Sequence, residues 1–198
     1  MSLTTTTELD AVNVLLMSIS ESTVNTLEGE VDEDVISARK TLEQVSRAVQ
    51  KKGWGFNTEV DFPLSRDLTT NKIPVPANCV RIDIATASVD VVQRGLFLYD
   101  RATRSYTFTQ DVEASEMIIL LEFDELPEAA RWYVTVRAQR IFGDNSVGSE
   151  RLHMFSAEEE QDAWKDLVEA EGDTEDHSIY DDPDLYRAIH NTPRVIPI

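Results

Sequence analysis

The spacing of apolar residues changes twice along this chain, and those changes constrain its fold more than any other feature. Up to Gly53 the apolar residues recur every three or four positions, the period of an amphipathic helix. Between residues 58 and 123 they recur every second position, the period of a β-strand. The helical period returns after Pro127. The pattern predicts an α+β chain in which an antiparallel sheet module is inserted between the second and third helices of a four-helix bundle.

Two helices are predicted before Gly53. Thr7 and Asp10 have the spacing of a capping box at the start of the first helix. The second helix begins at the acidic run 32–34 and ends at Lys51 and Lys52, so charges of the favourable sign lie at both ends of its dipole. The predicted apolar faces are Leu9, Val12, Leu16 and Ile19 in the first helix, and Val35, Ala38, Leu42, Val45 and Val49 in the second.

The middle of the chain is predicted to form several short strands. Alternating apolar residues indicate strands at 60–64, at 80–84 (Val80, Ile82 and Ile84), at 106–108 and at 117–123, with a hairpin over 89–99 that turns at Arg94 and Gly95. Pro74 and Pro76 indicate an edge or a connector between them. Trp54 and Phe56 are predicted to fill the junction between helix and sheet rather than to bind a ligand.

Two further helices are predicted after the strands. Pro127 suits the first position of the third helix, and Gly143 is expected to end it. The fourth is predicted to start at Ser156, with Glu159 as its capping partner. Its apolar face is formed by Ala163, Trp164, Leu167 and Val168. The chain thus divides into helices 1 and 2 (1–57), the β module (58–123), helices 3 and 4 (124–172) and a C-terminal segment (173–198).

The C-terminal segment has an unusual composition. Residues 150–198 carry fourteen acidic and four basic side chains, and the stretch 173–184 is too acidic to fold alone. Spaced apolar residues follow, and the chain ends in the extended peptide PRVIPI. We therefore predict that this segment is a docking element that folds on binding a partner. The predicted anchors are Tyr180, Leu185, Tyr186, Ile189, Val195, Ile196 and Ile198.

The net charge of the chain is −19. A surface of this sign repels nucleic acid and anionic membranes, although acidity also simply favours solubility. Arg131, Arg137 and Arg140 lie on the predicted third helix. They are candidate contacts with the acidic surface of a neighbouring copy, and the alternative is that they bridge to nearby acids of their own chain.

The sequence contains no motif that indicates catalysis or cofactor binding. Phosphate-binding glycine loops, HExxH, CxxC and GxSxG are absent. His153, His177 and His190 lack zinc-site spacing, and the single cysteine, Cys79, is predicted to be a small buried hydrophobe. We therefore predict no catalytic residue, cofactor or metal. A carboxylate pair of the glycosidase type stays open, because some of the 37 acids will lie at a suitable distance by chance.

The chain also lacks obvious membrane signals. The N-terminal residues MSLTTTTELD do not combine a basic start with an apolar core, so no signal peptide is predicted. No apolar run approaches the roughly 20 residues that a membrane span needs. We expect the protein to be made and used in a cytoplasm-like setting.

Six segments, taken in order, resemble the tail tubular protein A family of short-tailed bacteriophages. They lie within about residues 8–172, and their order and spacing carry the resemblance. They are 8–19 (ELDAVNVLLMSI), 24–30 (VNTLEGE), 45–58 (VSRAVQKKGWGFNT), 93–101 (QRGLFLYDR), 126–142 (LPEAARWYVTVRAQRIF) and 152–155 (LHMF).

The resemblance implies a structural head-to-tail adaptor in the virion tail, assembled in the host cytoplasm. Such a protein forms a dodecameric ring under the portal protein, holds the nozzle (tail tubular protein B) and adjoins the tail fibre. DNA passes through the ring without specific binding. The chain departs from the family pattern in two places. Ser20 stands where glycine is expected, and the C-terminal segment has no family pattern that can be aligned.

Three functions compete at this point. The first is the ring adaptor. The second is a tail-associated glycan hydrolase, which requires two converging carboxylates and a raised pKa on one of them. The third is an unrelated acidic scaffold protein, which would remain monomeric.

Overall fold

The computed structural model describes residues 4–29, 32–84, 90–146 and 150–174. Within them the helices are α1 (Glu8–Ser18), α2 (Glu33–Gln50), α3 (Glu128–Ser146) and α4 (Glu150–Thr174). The strands are β1 (Thr58–Leu64), β2 (Cys79–Asp83), β3 (Val91–Arg94), β4 (Phe97–Asp100) and β5 (Val112–Ile119). Short 3₁₀-helices at Gly55–Asn57 and Phe123–Glu125 flank the strands. All five strands lie between α2 and α3, which confirms the predicted α+β class and the insertion.

Helix α1 starts and ends with local hydrogen-bond motifs. The Thr7 hydroxyl accepts from the Asp10 amide at 3.2 Å, and the Asp10 carboxylate accepts from the Thr7 amide at 3.1 Å, so the predicted capping box is confirmed. At the other end, the amides of Ser20 and Glu21 donate to the carbonyls of Met17 and Leu16. Ser20 lies in the left-handed region at φ +65°, a conformation that glycine adopts at lower cost than serine.

Helix α2 has the predicted bounds and buried face. The Asp32 side chain accepts from the Asp34 amide at 3.3 Å and caps the helix. The five predicted apolar residues are all buried: Val35, Ala38, Leu42, Val45 and Val49. The helix ends at Gln50, and Gly53 turns the chain toward the sheet with φ +79°.

Two predicted helix ends are wrong. Helix α3 continues through Gly143 to Ser146, and α4 begins at Glu150, so Ser156 lies inside the helix. An interior glycine costs about 1 kcal/mol, which the burial of the adjacent Phe142 offsets. In the predicted apolar face of α4, Ala163 and Leu167 are buried, whereas Val168 is half exposed.

The strands form a three-stranded antiparallel sheet in the order β1–β5–β2 and a separate β3–β4 hairpin. The hairpin turns at Gly95, as predicted. The predicted strand at 106–108 is wrong, because that stretch has no ladder partner beyond an isolated bridge from Asp100 to Ser105. The predicted strand at 117–123 is shifted: β5 runs over Val112–Ile119, pairs on both sides, and leaves Phe123 in a 3₁₀-helix.

The register of β2 corrects a further detail of the sequence analysis. Cys79 pairs with Ile119 and Arg81 with Ile118, so the register shifts between these two residues of β2. Cys79 is therefore buried and Val80 exposed, while Ile82 and Ile84 pack against the sheet core. The predicted burial of Cys79 is confirmed.

The buried residues form two clusters. One belongs to the bundle, in which α1, α2 and α3 pack together and α4 packs on α3. The other lies within the strands and their loops, and its members are Leu64, Ile73, Val75, Cys79, Leu98, Phe108, Ala114 and Met117. The predicted division of the chain at residues 57, 123 and 172 is not tested by these two clusters and stays a prediction.

Candidate functional site

A buried polar network joins the helical bundle to the sheet at Gln50 and Asn57, and we call it the joint. The Gln50 amide group donates to the Leu121 carbonyl at 3.0 Å and accepts from the Leu121 amide at 2.7 Å. The Asn57 amide group donates to the carbonyls of Gln50 and Ile119 at 3.0 and 2.7 Å, and it accepts from the Trp54 amide at 2.9 Å. Both side chains are almost fully buried. Because each amide is paired, the network fixes the end of α2 against β5.

An aromatic cluster fastens α4 to the same joint. Trp54 contacts Trp164 edge-to-face, with ring centroids 5.3 Å apart, and stacks on Phe56 at 6.3 Å. Its indole N–H donates to the Val49 carbonyl at 3.0 Å. Lys52 lies 4.2 Å above the Trp164 ring. Trp54 and Phe56 pack against the bundle core, so the predicted junction role is confirmed.

Arg131 lies inside the subunit. It is 9% exposed, and its guanidinium donates to the carbonyls of Leu126, Thr6 and Asp124. The Thr6 amide and hydroxyl in turn bind the Glu128 carboxylate, at 2.9 and 2.5 Å. These bonds hold the residues before α1 against the start of α3.

Arg137 and Arg140 both point toward α4. Arg140 forms a close ion pair with Glu160, and Arg137 lies 3.8 Å from the same carboxylate. Arg137 also donates to the Tyr133 hydroxyl at 2.9 Å. The three arginines therefore share no open surface, and each has a partner in its own chain. Their role as subunit contacts stays a prediction.

Basic and aromatic side chains meet on the β3–β4 hairpin and the loops beside it. Lys72 lies 5.3 Å from the Phe97 ring and 5.8 Å from the Tyr106 ring. Tyr106 contacts Tyr99 edge-to-face at 4.9 Å, and Arg94 lies 3.6 Å above Tyr99. We call these five residues the hairpin face. No motif in the sequence indicates this face, and its sequence signal is a set of basic and aromatic residues on one hairpin and the loops beside it.

The exposed side of α4 carries charge of the opposite sign. Five carboxylates share one side of the helix by their 3.6-residue spacing: Glu158, Glu159, Asp162, Asp166 and Glu169. Lys165 pairs with Asp162 at 2.7 Å. The helix thus presents an acidic stripe to its surroundings.

A groove of about 740 Å³ runs beside α2, next to the ends of β2 and β5. Apolar side chains such as Leu27, Val35 and Leu121 line its floor. Its rim holds three basic residues, Arg39, Lys40 and Arg47, and three acidic residues, Glu8, Glu43 and Glu122. Arg39 pairs with Glu8 and Arg47 with Glu43, both at 2.7 Å, so the charges on this rim largely cancel.

The titratable groups give no support to acid catalysis. Hydrogen bonds from Thr7, Thr70 and Thr103 lower the pKa values of Asp10, Asp67 and Asp100 respectively. A general acid of a glycosidase needs the opposite shift. Burial raises the pKa of the Cys79 thiol, which disfavours the reactive thiolate.

Several predicted residues cannot be placed. The seven apolar anchors, His177 and His190 lie outside the described residues, and His153 lies in α4 without a described side chain. In the described part of the chain, no group of three or more His, Cys, Asp or Glu side chains is arranged to hold a metal ion. In the same residues, no helix has the length and apolar character of a membrane span.

Comparison with known proteins identifies the family. No curated protein matches the sequence. The profile of the tail tubular protein family matches residues 9–177, from the first turn of α1 to just beyond the end of α4. The match includes the joint, the hairpin face and the acidic side of α4. The chain therefore belongs to the tail tubular protein family and is a structural component of the phage virion tail.

Proposed function

We propose that this protein is the head-to-tail adaptor of a short-tailed phage, a ring that joins the portal protein to the tail nozzle and forms part of the DNA ejection channel. The observation that carries the proposal is the family match over residues 9–177, which spans all four helices and all five strands. Family membership also implies assembly with other tail components. We propose that the ring contains twelve copies of this chain. Its proposed partners are the portal protein, the nozzle protein and the tail fibre.

The charge distribution supports a closed ring with head-to-tail contacts. Such a ring requires each subunit to present two different faces to identical neighbours. The acidic stripe of α4 and the hairpin face differ in sign and belong to different parts of the subunit. Complementary faces of this kind favour one order of contact and oppose pairing of like faces.

Acidic residues suit the wall of a DNA channel. With a net charge of −19, the subunit repels phosphate, so the duplex slides through the ring without binding. We propose that carboxylates, rather than Lys or Arg, face the bore. Tight binding of duplex DNA at physiological salt would contradict this part of the proposal.

Native mass spectrometry of the purified chain tests the assembly directly. We expect a ring whose mass is an integer multiple of 22.4 kDa, and a larger complex when the portal protein is added. Electron microscopy of the same sample distinguishes a closed ring from an open filament. A chain that stays monomeric with its portal protein, or that forms only a two-fold dimer, would overturn the proposal.

We propose that the protein has no catalytic turnover. Membership in a structural family and the downward pKa shifts of Asp10, Asp67 and Asp100 support this view. The measurement is release of reducing ends from bacterial glycans. Activity that disappears when one Asp or Glu is changed to its amide, with the ring intact, would establish a hydrolase.

A further inference from the structure

The hairpin face differs in charge from the rest of the molecule. Residues 65–75 and 90–108, which build the hairpin and the loops beside it, carry five basic and three acidic side chains. The whole chain carries 18 basic and 37 acidic side chains. On a molecule whose net charge otherwise repels anions, this positive region is where an acidic ligand meets the least repulsion.

Two cations of this face remain available for a ligand. Among the described residues, neither Lys72 nor Arg94 takes part in an ion pair, whereas the nearby Arg101 pairs with Asp90. The nearby acids are also engaged: Asp67 accepts from the Thr70 amide at 2.6 Å, and Asp100 accepts from the Thr103 hydroxyl at 2.8 Å. Among the described residues, neither carboxylate forms an ion pair with Lys72 or Arg94, so both cations keep hydrogen-bond donors for a ligand.

The rings of the hairpin face supply an apolar contact surface beside the two cations. Phe97 and Tyr106 are each a little over one third exposed, and Leu96, at the tip of the hairpin, is more exposed still. The exposed aromatic surface fits an aromatic or aliphatic side chain, and the cations fit carboxylates next to it. The face thus suits an acidic peptide with an apolar anchor.

The C-terminal segment has that chemistry. Residues 173–184 (DTEDHSIYDDPD) contain six carboxylates and no Lys or Arg, and Ile179 and Tyr180 precede the pair Asp181 and Asp182. An apolar anchor directly before two carboxylates matches a surface on which rings and cations alternate.

The length of the segment is sufficient for this contact. Helix α4 ends near the joint, where the Gly55 amide hydrogen bonds to Glu171. Residues 175–180, fully extended, span up to about 20 Å, and residues 175–182 up to about 26 Å. The acidic stretch is therefore long enough to leave the end of α4 in one subunit and reach a face of a copy placed beside it.

We propose that the hairpin face of each subunit binds residues 175–184 of a neighbouring copy, with Tyr180 on the exposed rings and Asp181 and Asp182 beside Lys72 and Arg94. The proposal rests on the ring described under the proposed function, because a head-to-tail ring joins two different faces of identical subunits. If the segment bound the hairpin face of its own subunit, both binding elements would be used within one chain, and neither would contact a neighbour in the ring.

Photo-crosslinking in the assembled ring tests the contact. The full chain is prepared with benzoylphenylalanine in place of Tyr180, mixed with ¹⁵N-labelled wild-type chain, and crosslinked after assembly. We expect crosslinked peptides from the region around Phe97 and Tyr106, in mixed-isotope form. Crosslinks confined to peptides of a single isotope in mixed rings, or crosslinks to the groove beside α2, would overturn the proposal.

Charge reversal adds a second criterion. Lys72→Glu together with Arg94→Glu should lower the crosslink yield about tenfold, since two exposed charge contacts of about 0.7 kcal/mol each are lost and replaced by repulsion. Asp181→Lys together with Asp182→Lys in the same chain should restore most of the yield. The matched control is Lys40→Glu with Arg47→Glu in α2, which changes the net charge equally and should leave the yield unchanged. If the control variant loses crosslink yield and the Lys72→Glu, Arg94→Glu variant does not, the segment binds the groove beside α2 and the proposal is wrong.

The ring and the contact fail separately. Native mass spectrometry of the same samples reports whether the ring forms, and the crosslink reports where Tyr180 lies. A normal ring without the expected crosslink refutes the contact and leaves the adaptor function standing. Absence of a ring in the wild-type chain, with the portal protein present, refutes the adaptor function itself.

Discussion

The joint and the hairpin face are built in opposite ways: the joint fixes the three-stranded sheet to the bundle, whereas the hairpin face lies on the separate β3–β4 hairpin and the loops beside it. At the joint, Gln50 and Asn57 are buried, uncharged and hydrogen bonded on both sides of their amides. At the hairpin face, Lys72 and Arg94 are charged, and the rings beside them are partly open to solvent. The first arrangement holds one orientation of sheet and bundle, whereas the second leaves binding capacity for another molecule.

This difference teaches where stability and assembly are located. A buried polar group that loses its partner costs about 1–3 kcal/mol, whereas an exposed charge contributes about 0–1 kcal/mol to its own fold. Changes at the joint should therefore affect the free energy of unfolding, and changes at the hairpin face should affect the proposed contact with a neighbouring copy.

Removal of the joint amide should have the largest effect. Asn57→Ala removes three hydrogen bonds and leaves the Trp54 amide without its partner, so we expect a loss of about 3 kcal/mol in the free energy of unfolding. Urea unfolding followed by circular dichroism measures it. The matched control is Asn78→Ala, whose exposed amide makes one comparable bond to the Leu120 carbonyl, with an expected loss of about 0.5 kcal/mol. Equal losses of unfolding free energy in the two variants would mean that the buried joint amide stabilises the fold no more than an exposed amide does.

Two glycines, one next to the joint and one at the hairpin turn, extend this comparison. Gly53 and Gly95 both have positive φ values, +79° and +64°. A Cβ on Gly53 would lie 2.5 Å from the buried Ile118 side chain, whereas a Cβ on Gly95 would meet nothing within 4 Å. Gly95→Ala should cost about 1 kcal/mol for the backbone alone, and Gly53→Ala about 2 kcal/mol or more. The measurement is the same urea titration, and a larger loss at Gly95 would contradict the described packing at Ile118.

Charge reversal at the hairpin face should have a smaller effect on the isolated subunit. Lys72→Glu with Arg94→Glu removes cation–π contacts at an exposed site, which are worth about 0.5 kcal/mol each. We expect the midpoint of urea unfolding to fall only slightly, with an unchanged circular dichroism spectrum. Loss of the folded state in this variant would show that the hairpin face supports the fold itself.

The smallest expected effect is a local response to acid. The pKa values of Asp67 and Asp100 are lowered by hydrogen bonds from Thr70 and Thr103, so these bonds are complete above the unfolded pKa of about 3.9 and are lost as the pH falls through the lower folded values. The joint residues Gln50 and Asn57 carry no titratable group. Amide hydrogen exchange followed as the pH is lowered from 5, corrected for intrinsic rates, should show protection at Thr70 that declines only below the unfolded pKa, while the Leu121 amide stays protected. Simultaneous loss at both would mean that acid acts on the whole subunit.

Local sequence signals predicted the starts of the first two helices well and the boundary between α3 and α4 poorly. The Thr7–Asp10 capping box and the acidic start of α2 were predicted because both depend on residues that are close in sequence. The end of α3 and the start of α4 were wrong, since the glycine and serine signals at Gly143 and Ser156 are weak beside the packing of α3 on α4. The strand at 106–108 failed because a strand needs a partner, and alternation alone does not supply one.

The candidate sites were harder to predict than the fold. Arg137 and Arg140 were assigned to one face of the third helix, but their common partner, Glu160, lies on α4, twenty positions away from Arg140. Arg131 was grouped with them, yet it binds the residues before α1. Lys72 and Tyr106 meet through contacts across loops 34 positions apart, which no local pattern indicates.

The sequence by itself determined the α+β class, the inserted sheet, the buried face of α2 and the strong negative charge, because each depends on periodicity, capping residues or composition. The tertiary structure decided which polar groups pair and which cations stay open: Asn57 reaches Ile119, 62 positions away, and Arg94 and Lys72 meet on one aromatic cluster. Such pairings depend on how distant segments are placed relative to one another. Their energy comes from burial and geometry, which are properties of the folded chain and not of any segment alone.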